Sequence, residues 1–266
     1  MMVRQYTLWG ESFVGEFAVS ATAYACVIGG ALFGIFMRRV LPPHHMSDES
    51  RQIVNVAVGL IATLAALVLG LLVASAKSSF DARSDEVKHS AAKIIVLDRN
   101  LRHYGPETKD VRDTLRDVTQ RRIDRTWGGH RDSQKGEFAE AAGIEQVRAK
   151  LWQLTPSNDM QRWLHARALT LSAELEQARW LLVEQTGSSI PTPFLVVLGF
   201  WLAVIFASLG LFAPRNGTVY AVMFVCALSV STAIFMILEM DQPYEGILQI
   251  SSAPLKSALE EMKLKK

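Results

Sequence analysis

Four long stretches of this chain are apolar and almost free of charge: Val14 to Met37, Ile53 to Ala76, Ile190 to Ala213 and Thr218 to Leu238. Each reaches the roughly 20 residues that a helix needs to cross about 30 Å of hydrocarbon, so the pattern predicts four transmembrane helices. A soluble core rarely calls for four such runs. The first run ends at Arg38 and Arg39, not at a small-residue cleavage site, so it reads as a span and not as a signal peptide. The plan is an all-α polytopic membrane protein. Residues 1–76 form an N-terminal hairpin with spans near 14–37 and 53–76, and residues 77–189 a helical soluble domain. Residues 190–239 form a second hairpin with spans near 190–213 and 218–238, and residues 240–266 a tail.

Between the hairpins the hydrophobic period is helical. Phe80, Val87, Ala91, Ile94 and Leu101 fall near one face, and Gly105-Pro106 ends that helix. A helix from near Ile53 to Tyr104 is about 78 Å long at 1.5 Å per residue, enough to cross a bilayer and stand clear of it. A second helix is predicted over Pro106 to Trp127 with Val111, Leu115, Val118 and Ile123 inward. A glycine-bearing loop from Trp127 to Gly136 follows, then a short helix from Ile144 to Leu154. From Asp159 to Gln185 a seam of Leu164, Ala168, Leu171, Leu175, Ala178 and Leu182 repeats at intervals of four and three, a heptad pattern whose natural partner is the stripe following the second span.

Small residues recur along three of the spans. Ala62, Ala66, Gly70 and Ala74 form a ridge on the second, Gly199, Ala203 and Ala207 on the third, and Gly30 and Gly34 on the first. In lipid such ridges let backbones approach closely, either within a subunit or between subunits and along a pore. Polar groups in the spans are few and are candidates for function because their burial in hydrocarbon is costly. Glu16 sits near an interface, Asn55 near the start of the second span, and Ser229, Ser231 and Thr232 in the fourth, where a hydroxyl can also bond to its own helix one turn back.

Composition narrows the chemistry. The chain has 266 residues, half of them hydrophobic, and a formal charge of +2, so no nucleic-acid partner is expected. The soluble stretch carries 19 Lys and Arg against 17 Asp and Glu and is nearly neutral. Cys26 and Cys226 lie in apolar runs and read as packing residues. No phosphate loop, metal-spaced histidine pair or nucleophile elbow is present, so no enzyme, cofactor or metal site is expected. His44-His45 follow two prolines in a short loop, and His89, His103 and His165 are scattered over helices. The number of basic residues favours a cytoplasmic middle domain, while their density around the first span, at Arg38, Arg39 and Arg51, favours the opposite. The first reading is adopted.

The stretches from Arg38 to Ser50, Gly59 to Ala82, Ala91 to Glu107 and Leu238 to Leu259 together resemble the bestrophin-like domain family of bacterial membrane proteins. The resemblance covers Phe17 to Leu259. It implies a distant kinship with bestrophins, pentameric anion channels with four membrane helices and a helical cytosolic region between the second and third. Asp241, Pro243 and Gly246, followed by Ala253-Pro254-Leu255, are similar to the stretch that bestrophins carry after their last span. Two features depart from that pattern. No phenylalanine lies between Ile53 and Ser79 to make an aromatic constriction, and only Glu239, Asp241 and Glu245 stand where animal bestrophins carry an acidic calcium clasp.

The resemblance implies a homo-oligomeric ion channel in the lipid bilayer that conducts chloride or another small anion. Its pore-lining candidates are Leu67, Leu71, Asn55, Ser229 and Thr232, with Leu67 and Leu71 gating by dewetting. The alternative is a membrane-anchored helical scaffold or sensor whose soluble bundle binds a protein partner.

Overall fold

The computed structural model describes residues 5–42, 47–128, 133–184, 192–214, 216–244 and 246–264, and their side chains except at 5–20, 22–23, 133–142, 179–184 and 192. Among the described residues every regular element is helical: α1 (Gln5–Val40), α2 (Asp48–Tyr104), a 3-10 turn (Pro106–Thr108), α3 (Lys109–Trp127), α4 (Ser133–Trp152), α5 (Asp159–Glu184), α6 (Thr192–Phe212), α7 (Gly217–Asp241) and α8 (Ala253–Leu264). Three of them, α2, α6 from Pro193 and α7, are long and apolar enough to cross a membrane. The first expected span lies in α1, part of whose apolar window (residues 14–20, 22 and 23) falls outside the described side chains.

The chain divides into two units, residues 1–80 with 188–248 and residues 81–187 with 249–266. The first unit is built on contacts of α1 with α6 and α7. Its core gathers Val27 and Ala31 of α1, Ala65, Leu72 and Ala76 of α2, Leu198, Leu202 and Phe206 of α6, and Ala227, Ile234 and Ile237 of α7. Lipid tails are as apolar as these side chains, so close packing holds this core together. A Cβ on Gly34 would stand 2.8 Å from the Ala207 carbonyl carbon and from the Leu211 nitrogen, and one on Gly30 would stand 3.1 Å from Ala203 Cα. Only glycine lets α1 and α6 approach so closely. Asn216 starts α7 by accepting the Thr218 amide at 3.1 Å, and Ser47 accepts the Ser50 amide at the start of α2.

The second unit is a helical bundle whose helices turn apolar stripes inward. Val87, Ala91, Ile94 and Leu101 of α2 are buried as expected, as are Val111, Leu115, Val118 and Ile123 of α3. Of the α5 seam, Leu164, Ala168, Leu171 and Leu175 are buried, and Leu182 lies outside the described side chains. Helix α5 meets α2 through Lys93 and Glu174, 3.3 Å apart, and through Gln161 Nε2 donating to the Tyr104 carbonyl at 3.0 Å. Its start is capped by Asn158, which accepts the Gln161 amide, while the Gln161 side chain reaches back to the Ser157 amide. One expectation needs correction. Helix α4 begins at Ser133, so the glycine-bearing loop ends sooner than its composition suggests; Gly143 then packs against Val118, with room for no Cβ without a shift. Within the tail, α8 buries Leu255, Ala258, Leu259 and Met262, packs on α3, and belongs to the second unit.

A buried polar cluster pins α3 to α2. Asp98, 1% exposed, accepts from Arg102 one turn on at 2.7 Å and from Arg112 Nε of α3 at 2.8 Å. One turn beyond Arg112, Arg116 donates to the Met262 carbonyl near the end of α8 at 2.6 Å, where a cation also suits the helix dipole.

Candidate functional site

Helix α2 is the longest element, 57 residues, and its membrane window is the least covered. Only 11% of it is buried, against 22% for α6 and 28% for α7. The covered side carries Ala65, Leu72 and Ala76. The open side carries Ile53, Val56, Leu60, Leu64, Leu67 and Leu71. Leu67 and Leu71, one turn apart, are 70% and 63% exposed, and both therefore stand on the open side. Asn55 is also exposed and, with Arg51 and Gln52, lines an open depression at the start of the helix. The Arg51 guanidinium lies 5.8 Å from the Phe212 ring centroid, a cation–π distance, and Arg38 donates to the Ala213 carbonyl.

The small-residue ridges separate into two kinds. Gly30 and Gly34 meet Ala203 and Ala207, so the ridges of α1 and α6 close on each other inside the chain. On α2, Ala66, Gly70 and Ala74 are exposed, Ala62 is half-buried, and nothing stands within 4 Å of where a Cβ on Gly70 would be. Gly199 of α6 is similarly open. The α2 ridge and the leucines beside it thus form one apolar face that no described residue of this chain covers.

The polar candidates of α7 divide likewise. Ser229 and Thr232 are exposed and spend their hydroxyl hydrogens on the Val225 and Leu228 carbonyls, each at 2.8 Å. Their oxygens keep lone pairs for a second partner. Ser231 is buried and its Oγ has no partner among the described residues. His44, His45, Arg215 and Glu245 lie outside the described residues, as does the side chain of Glu16. Among the described residues, no group of three His, Cys, Asp or Glu is placed to hold a metal ion.

After the last span the chain makes a compact turn. Asp241 closes α7, Pro243 is buried, and Gly246 adopts a φ of 78° that disfavours any side chain. The turn is organised by Glu239, 1% exposed, whose Oε1 accepts the Ile247 amide and, at 3.3 Å, the Leu248 amide. A Cβ on Gly246 would stand 2.6 Å from the Glu239 carboxyl carbon, so the motif's glycine makes room for the carboxylate. The sequence reading weighed Glu239 only as part of a missing acidic run. The signal it carried was a lone acid in the last turn of an apolar helix, ahead of a proline and a glycine. The Asp98 cluster was also missed, because its two arginines come from different helices.

A family model described as the bestrophin-like domain matches residues 25–255, most of the chain. No curated protein and no solved structure matches it.

Proposed function

The chain belongs to the bestrophin-like domain family, and on that footing we propose that it forms a homo-oligomeric ion channel conducting small anions, with α2 lining the pore. The observation that carries this reading is the open apolar face of α2. A face of leucines and small residues suits either lipid or copies of the same helix around an axis, and its ridge of Ala66, Gly70 and Ala74 suits close helix approach. In this reading Leu67 and Leu71 form a hydrophobic constriction that opens by wetting, while Asn55, Ser229 and Thr232 supply the polar contacts nearby. Helix α1 is taken as the fourth span, and the segment from 77 to 189 as a cytoplasmic domain in a bacterial inner membrane.

The test is chloride efflux from liposomes holding the purified full-length protein, with stoichiometry measured by mass photometry. Efflux from a ring-shaped oligomer, raised by Leu71→Ser or Leu67→Ser, supports the reading. A monomer or dimer silent in all three forms overturns it.

A second reading has an observation of its own. Trp152 at the end of α4, and Met160 and Trp163 at the start of α5, are each more than 60% exposed. Exposed tryptophans are frequent anchors of protein interfaces. They favour a membrane-anchored scaffold or sensor, and a silent monomer that retains a protein partner would select it.

A further inference from the structure

Three arginines of the second unit each leave half of a hydrogen-bonding edge unused. Arg112 donates through Nε to Asp98 Oδ1 at 2.8 Å, and Arg102 donates through Nη2 to Asp98 Oδ2 at 2.7 Å. Arg116 donates through Nη2 to the Met262 carbonyl at 2.6 Å and through Nη1 to Asp113 at 2.8 Å. What remains is Arg112 Nη2, Arg102 Nε and Arg116 Nε, each buried and without an acceptor among the described residues. A guanidinium is planar, and its Nε–H and Nη2–H run parallel as the fork that grips two oxygens of an oxyanion. All three forks are half filled.

Placement and charge add to this. Arg102 and Asp98 are one turn apart on α2, and Arg112 and Arg116 one turn apart on α3, so the unused donors of Arg102 and Arg112 flank the same carboxylate. Among the described residues the ion-pair partners of these three guanidinium groups are two carboxylates, Asp98 and Asp113, a local surplus of one positive charge. A buried ionised donor without an acceptor is costly, and an oxyanion bearing one negative charge would remove both the orphaned donors and the surplus.

We propose that the buried polar cluster of α2 and α3 around Asp98 binds a small oxyanion, a phosphate or carboxylate group whose oxygens complete the Arg102 and Arg112 forks with Arg116 one turn away. The inference does not rest on the channel reading. Each arginine leaves one N–H open, so an anion carrying two oxygens can accept from Arg102 Nε and Arg112 Nη2 together.

The test is isothermal titration calorimetry of the full-length protein in detergent micelles with inorganic phosphate, acetate and chloride at constant ionic strength. Saturable binding of phosphate or acetate, stronger than any chloride signal, is the expected result, and which of the two saturates assigns the group. Arg112→Lys and Arg102→Lys keep the charge and lose the fork, so each weakens binding at least about tenfold, while Arg121→Lys leaves it unchanged. Circular dichroism checks the fold. Should Arg112→Lys not fold, Arg102→Lys carries the comparison, since it alters only a pairing within α2. No saturable binding, chloride binding as tightly, or both lysine variants titrating like the parent would each overturn the proposal.

Discussion

Replacing Asp98 by alanine removes the acceptor that α2 offers to two arginines at once. Its hydrogen bonds are 2.7 and 2.8 Å long, and the carboxylate side chain is 2% exposed. Charge-assisted hydrogen bonds contribute about 1.5–3 kcal/mol each. Arg102, 28% exposed, recovers part of its loss by turning to water, so its share is discounted; Arg112, 14% exposed, has less freedom to do so. The expected cost is about 2–4 kcal/mol, felt locally where α3 packs on α2. Native-state hydrogen exchange of the full-length protein in nanodiscs reads this directly, because exchange through local opening reports the opening free energy. Amides of residues 94–104 and 109–119 exchange about 30-fold to 1000-fold faster in Asp98→Ala, while those of α6 and α7 are unchanged. Asp98→Asn keeps one acceptor oxygen and falls between. An acceleration under threefold in Asp98→Ala would refute the reasoning, and the pair would then be surface-like in energy despite its burial.

Three further outcomes follow from other sites. Gly34→Leu drives a side chain into the backbone of α6, so it loosens the α1–α6 contact by about 1–3 kcal/mol, read as a lower thermal midpoint in detergent; an unchanged midpoint refutes the close approach. The pKa of Tyr104 is raised by burial and, secondarily, by the nearby charge of Glu107. The unfolded chain therefore loses this proton first as pH rises, and Tyr104's contribution to stability is present below pH 10.0 and lost above it. Tyr104→Phe removes that part of the alkaline slope and leaves stability at neutral pH within about 1 kcal/mol of the parent, since its hydroxyl has no partner among the described residues; an unaltered slope in denaturation above pH 10.0 counts against it. Glu239→Ala frees the Ile247 and Leu248 amides, whose exchange accelerates about tenfold or more, whereas Glu239→Gln retains an acceptor and stays nearer the parent; equal rates in all three forms would exclude the clamp.

How much of this was legible in the sequence varied with the kind of interaction. The inward residues of α2, α3 and α5 were readable because an amphipathic helix repeats its apolar positions with a period near 3.6 residues, and Val111, Leu115, Val118 and Ile123 are buried on that stripe. In the membrane that signal vanishes, since lipid imposes no polar outer face. The sequence therefore could not say which of the ridges on α1, α2 and α6 would find partners within the chain; Gly34 does and Gly70 does not. The early start of α4 was hidden by Gly136 and Gly143, which read as loop residues although the second serves close packing on Val118. Asp98 and Arg112 lie 14 positions apart, and no local spacing announces a pair that forms only when α3 folds back.

Helix α2 has no proline, and no glycine after Gly70, so nothing in it absorbs a change of phase. Within the second unit its buried positions step from Val87 to Ile94 to Leu101, each seven residues or close to two whole turns from the last. One inserted residue between Val87 and Ile94 would swing Ile94 and Leu101 by about 100° relative to Val87, off the stripe they share, whereas seven would swing them by only about 20° while adding about 10 Å of length. This helix tolerates being made longer far better than being made to turn. Its register, more than its reach, is what descendants of this chain must preserve when they gain or lose residues there.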